Sequence, residues 1–156
     1  MLEQLEVLIQ RSREQGSTTN MFSANGLQAT PKTAHDYFRD NVSFGAAFIH
    51  GDEVARRGEI GVGQILWGSD YPHIEGTFPH SKAALRAAFA GVPADEVQRM
   101  VGGNAALVYG FDVQKLQGVA NRVGPTVEEV ARPLTERPPH SFSPVFHPKV
   151  QTIFTV

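Results

Sequence analysis

The segment QILWGSDYPH, Gln64 to His73, decides how this chain is read. After Gln64, Ile65, Leu66 and Trp67 place apolar side chains on successive positions, a pattern suited to a short strand covered on both faces rather than on one. Continuous cover implies a parallel sheet. Gly68 and Ser69 then turn the chain, and an acid, a phenol and an imidazole follow at Asp70, Tyr71 and His73. In parallel α/β structures the reactive groups stand just past the carboxyl ends of the strands, where loops vary while the strands hold them in place. Asp70 has that address. A carboxylate there can ligate a divalent cation or take a proton from bound water. The other reading is an Asx turn or a helix cap, for which Ser-Asp before Tyr-Pro is suitable chemistry.

Working outward, NVSFGAAFI predicts a buried strand over Val42–Ile49, and HGDEVARRGEIG a turn and helix with Asp52 as N-cap. Strand, helix, strand, helix is the spacing of a βαβ unit, since parallel neighbours must be joined by a crossover. SKAALRAAFAG predicts an alanine-rich helix ending at Gly91, and PADEVQRMVGGNAALVYG two helical pieces broken at Gly102 and Gly103. One more helix is predicted near Val113 to Asn121. Toward the N-terminus, Leu2, Leu5, Val7, Leu8 and Ile9 recur at helical spacing, so residues 2–15 read as a helix stopping near Gly16. A loop of uncommon length follows over Ser17–Pro31, and Thr33 can cap a short helix reaching about Asp40. Five of the ten prolines fall between Arg132 and Lys149, which predicts an extended, surface-hugging segment or a floppy one there. The chain therefore divides into residues 1–125 and a proline-rich extension, 126–156.

Composition narrows the function. The 156 residues carry 14 Lys plus Arg against 16 Asp plus Glu, a net charge of −2, so no basic field exists to hold a phosphate backbone and nucleic acid is excluded as a partner. Cysteine is absent, which removes disulfides, thiolate metal sites and a cysteine nucleophile together and suits a reducing cytoplasm. No run approaches the ~18 apolar residues of a membrane span, and the acidic N-terminus is unlike a signal peptide. A soluble, cytoplasmic protein is expected.

Ile60 to Asp112 resembles the C-terminal part of the amidohydrolase-related family, which includes metal-dependent hydrolases and decarboxylases similar to aminocarboxymuconate semialdehyde decarboxylase. The family's last barrel strand ends in a W/F-G-S/T-D-Y/F-P-H pattern, as Trp67 to His73 does, and a later G-N-A helix resembles Gly103-Asn104-Ala105. AHDYFRDNVSFGAAF resembles the stretch leading into the seventh strand, and VGPTVEEVARPL is similar to C-terminal extensions of some members. The resemblance implies an α/β fold, the C-terminal part of a (β/α)8 TIM barrel with two parallel strands, several helices and an irregular tail. It implies a small-molecule substrate, a divalent metal with zinc as the default, and Asp70 as metal ligand and general base. Gly68 and Ser69 would be structural.

His73, three residues past that carboxylate, is a candidate for proton transfer or for polarising a substrate oxygen, or else a loop histidine bonded to backbone. His50 follows the first predicted strand as Asp70 follows the second; it is a candidate substrate contact facing the same mouth, or a turn or cap residue before Gly51-Asp52. Trp67 and Tyr71 read as packing residues, and His35, His80, His140 and His147 as surface histidines.

The departures from the family matter as much. There is no H-x-H pair, no histidine lies in a strand suited to the central metal positions, and a closed barrel takes about 250 residues. A fragment is therefore expected, from a split gene, a truncated reading frame or a piece completed by an N-terminal polypeptide: one ligand of a set, binding metal weakly and catalytically silent alone, with self-association into a homo-oligomer a further expectation. Exposed apolar surface is predicted around Phe44, Phe48 and Ile65. The rival reading is a non-catalytic remnant serving as an interaction or assembly module.

Overall fold

The computed structural model describes residues 2–15 and 31–147. The chain forms two compact units, residues 1–42 and 43–156. In the first, α1 (Leu2–Gln15) and α2 (Ala34–Asn41) pack together. Thr33 caps α2 as its sequence requires: its side chain accepts from the Asp36 N–H while the Asp36 carboxylate returns the bond to the Thr33 N–H. The Ala34 N–H donates to Glu6 at 2.6 Å, and Arg13 donates to the Lys32 carbonyl at 2.8 Å. The predicted stop at Gly16 and nearly all of the predicted long loop lie outside the described residues.

The second unit holds a two-stranded parallel sheet, β1 (Phe44–Ala46) and β2 (Ile65–Trp67), in the register Phe44 to Ile65, Gly45 to Leu66 and Ala46 to Trp67. The crossover between them is helical, through α3 (Gly51–Ala55), α4 (Arg57–Ile60) and a 3-10 turn at Val62–Gln64. The βαβ reading holds. Then come α5 (Ser81–Phe89), α6 (Ala94–Gln98), α7 (Asn104–Tyr109), α8 (Val113–Val123) and α9 (Val127–Ala131). The core joins β2 to the helices: Ile65, Leu85, Phe89 and Met100 are buried, with Val54, Val97 and Val130 around them. Arg57 ion-pairs with Glu96 and ties α4 to α6.

Four expectations are corrected. β1 is three residues long, not eight, and Phe44 and Gly45 are exposed, because among the described residues only β2 lies beside it. Ile65 is 1% exposed rather than part of an open patch, although Phe44 is open as expected and Phe48 half-buried. The N-cap of α3 is His50, whose N–H donates to Glu53 at 2.9 Å, and Asp52 sits inside the first turn. Gly102 and Gly103 do not break the helix. The chain widens into a π turn over Arg99–Gly103 and runs on into α7, and a Cβ at Gly103 would lie 3.3 Å from the Gln98 carbonyl oxygen. Glycine lets the wide turn close, and Gly110, at φ 67, ends α7 in the left-handed conformation.

The proline-rich segment, described as far as His147, takes the surface-hugging one of its two predicted forms. Val130 reaches the main core, and a 3-10 turn at Pro144–Phe146 buries Val145 and Phe146 against Ala84.

Candidate functional site

Asp70 stands three residues past β2, in the left-handed region at φ 58. Few non-glycine residues adopt it; Asp and Asn tolerate it best. The loop that holds it is closed across its base by Thr77, whose N–H donates to the Ser69 carbonyl at 2.8 Å and whose hydroxyl donates to the same oxygen at 3.3 Å. Thr77 is 1% exposed, and its hydroxyl also meets that of Ser81 at 3.0 Å, at the start of α5. Inside the loop the His73 N–H donates to the Asp70 carbonyl at 2.9 Å and the Gly76 N–H to the His73 carbonyl at 3.0 Å. Three carbonyl oxygens converge on Gly76: a Cβ there would lie 2.9 Å from those of Asp70 and His73 and 3.0 Å from that of Ser69. Only glycine fits.

This frame brings two of the predicted residues together. Asp70 Oδ1 lies 3.1 Å from His73 Nδ1, with the carboxylate side chain 28% exposed and the imidazole 65%. An ionised carboxylate only accepts, so Nδ1 carries the proton and Nε2 is left for chemistry. The hydrogen bond from Asp70 and then its charge raise the His73 pKa above the ordinary imidazole value, with Glu75 adding to them and desolvation opposing. Tyr71 and Phe78 form an edge-to-face pair beside this site, centroids 5.2 Å apart, and both are exposed. Tyr71, read as a packing residue, packs on Phe78 at the surface, and Trp67 is half-buried against the core.

His50 goes elsewhere. It lines a cleft of about 460 Å³ with Arg86, Leu134, Arg137, Phe146 and His147, and neither Asp70 nor His73 contributes to that lining. Arg86 spends its guanidinium on the Arg132 and Pro133 carbonyls at 3.0 and 2.7 Å. His35, His140 and His147 are exposed and His80 is half-buried just before α5.

Sequence reasoning gave no role to Asn104. Its buried amide donates to the Val62 carbonyl at 2.7 Å and to the Ile65 carbonyl at 2.9 Å, fastening α7 to the entrance of β2. The signal was the polar residue following Gly103 in an otherwise apolar helical run. Among the described residues no three His, Asp or Glu side chains gather where they could hold a metal ion. Asp70 and His73 supply oxygen and nitrogen donors of the right chemistry, yet two adjacent donors bonded to each other do not make the three or four that a zinc site uses. The described residues alone do not fit the metal.

A family model, amidohydrolase, matches residues 23–111, more than half of the sequence. The chain belongs to the amidohydrolase family. No curated protein and no solved structure matches it. The amidohydrolase match runs through both strands, the Asp70 loop and α7. No helix among the described residues is long and apolar enough to cross a membrane.

Proposed function

We propose that this chain supplies the Asp70–His73 edge of an amidohydrolase active site, a metal-dependent hydrolase or decarboxylase resembling the aminocarboxymuconate semialdehyde decarboxylase branch and acting on a small organic substrate in the cytoplasm. Further strands, from an N-terminal polypeptide or another copy, would complete the barrel and the remaining ligands. The observation that carries the reading is the hydrogen bond between Asp70 and His73 just past the carboxyl end of a parallel strand. Asp70 fixes the tautomer and direction of the imidazole, and Nε2 takes a proton from an attacking water or returns one to a leaving group. In the completed site the same carboxylate is the group a metal would use. Alone, the chain is catalytically silent. His50, in its own cleft, is proposed only as a substrate contact for whatever reaches that cleft.

Calorimetric titration with zinc tests this on the chain as it stands. Weak binding is expected, because one carboxylate and one imidazole do not offset the dehydration of the cation. Stoichiometric tight binding would overturn the claim that the site is incomplete. Mixed with a polypeptide carrying the preceding strands of a family barrel, the chain should gain zinc and turnover, and Asp70→Asn should lose both. Retention of both by Asp70→Asn would remove Asp70 from its role.

A further inference from the structure

The cleft beside His50 is walled by segments far apart in sequence. His50 and α5 contribute one part of its lining, and the proline-rich tail contributes the other through the stretch from Pro133 to Arg137 and the 3-10 turn at Val145 and Phe146. Part of that lining is apolar, with Val145 and Phe146 buried and Ala87 and Leu134 half-buried. The rest is mostly basic. Arg86, Arg137, His50 and His147 stand there against a single acid, Glu136. Neither guanidinium has a counter-charge among the described residues. Arg86 is half-buried, and its only partners there are the Arg132 and Pro133 carbonyls, which leave further N–H groups of its fork without an acceptor. Arg137 makes no hydrogen bond and no ion pair among the described residues.

We propose that this cleft binds a small organic anion, a carboxylate or phosphate head on an apolar body, with Arg137 and the remaining N–H groups of Arg86 taking the head and Leu134 and Phe146 the body. The lining selects that class. A neutral apolar molecule would leave the guanidiniums without a counter-charge, and a bare inorganic anion would leave the apolar lining unfilled. The volume, about 460 Å³, lies within the ~300–1,000 Å³ of small-molecule sites. Because the tail forms part of the cleft, an anion held there favours the docked tail by mass action. Asp70 and His73 take no part in the lining, so the inference does not rest on their roles.

Calorimetric titration of the full chain with benzoate and with phenyl phosphate tests this, and the tighter of the two identifies the head group. Sub-millimolar binding of at least one is expected. Benzyl alcohol, the body without the charge, and inorganic phosphate, the head without the body, should each bind about tenfold more weakly. Arg137→Gln alters a side chain with no bond to lose among the described residues, so the fold should survive while affinity for the probe falls about tenfold. Lys82→Gln, in the neighbouring cleft that Arg86 also lines, should leave it within about twofold. Hydrogen exchange gives a second reading. The Phe146 N–H, which donates to the Ser143 carbonyl at 3.1 Å, should exchange more slowly with the probe bound. Silence from both probes would overturn the inference, as would equal binding of benzyl alcohol or affinity unchanged in Arg137→Gln. Binding that leaves the Phe146 N–H unprotected would overturn it too, by placing the anion elsewhere.

Discussion

The two strands β1 and β2 are equal in length and paired residue for residue, yet their fates differ. Ile65 and Leu66 of β2 are buried, whereas Phe44 and Gly45 of β1 are exposed. Periodicity does not separate them, because both read as unbroken apolar runs. What separates them is company. Besides β1, β2 has the π turn and α7 packed against it, and Asn104 ties its first carbonyl to the helix. Beside β1 lies an apolar groove of about 580 Å³, lined by Phe44, Ala46, Phe48 and Ile60. A strand is buried by its neighbours; hydrophobicity only makes it suitable for them.

The widest gap between the strands should be in stability. Ile65→Ala, emptying a fully enclosed site, is expected to cost about 2–5 kcal/mol in urea denaturation. Phe44→Ala at the paired position should cost about 1 kcal/mol, since much of that ring already meets water. Equal losses would mean that β1 is as enclosed as β2.

A smaller effect isolates the tie rather than the packing. Asn104→Ala removes both amide bonds and leaves the Val62 and Ile65 carbonyls short of a donor in a dry site, for an expected loss of about 1–3 kcal/mol. The melting temperature should fall while the far-ultraviolet spectrum keeps its helical shape. A neutral outcome would show that another donor replaces the amide, and β2 would then owe its order to burial alone.

These contrasts explain what was legible. The parallel pairing, the crossover, the Thr33 cap and the position of Asp70 past β2 follow from local chemistry: apolar runs, cap residues and the need to join parallel strands. Strand length did not, because Val42 to Ile49 is apolar enough for eight residues and only the extent of pairing with Ile65–Trp67 cuts it to three. Nor did the helix at Gly102 and Gly103, where glycine reads as a stop but admits a π turn held by Met100 in the core. At the site, the three-residue spacing of Asp70 and His73 indicated one loop, and the structure adds the bond between them. Of the two readings of His50, the turn or cap role holds, since it is the N-cap of α3, and its cleft was not legible for a related reason. Its place after β1 says which end of the sheet it leaves from, whereas its cleft depends on the later tail folding onto α5.

The finest distinction lies within the Asp70 loop, between the backbone that shapes it and the charge it presents. Asp70→Asn separates the two, because asparagine tolerates the left-handed conformation as well as aspartate does and keeps an acceptor for the imidazole while deleting the charge. In the native chain the His73 pKa is raised, first by the Asp70 hydrogen bond and then by the Asp70 charge. The sign follows: the pair's contribution to stability is fully present below the ordinary imidazole value of 6.5 and is lost as pH rises through the higher folded value. Histidine resonances followed by NMR from pH 5 to 9 should therefore show His73 titrating above 6.5 in the native chain and returning toward 6.5 in Asp70→Asn. If His73 titrates the same way in both, the carboxylate is shaping a turn and nothing more.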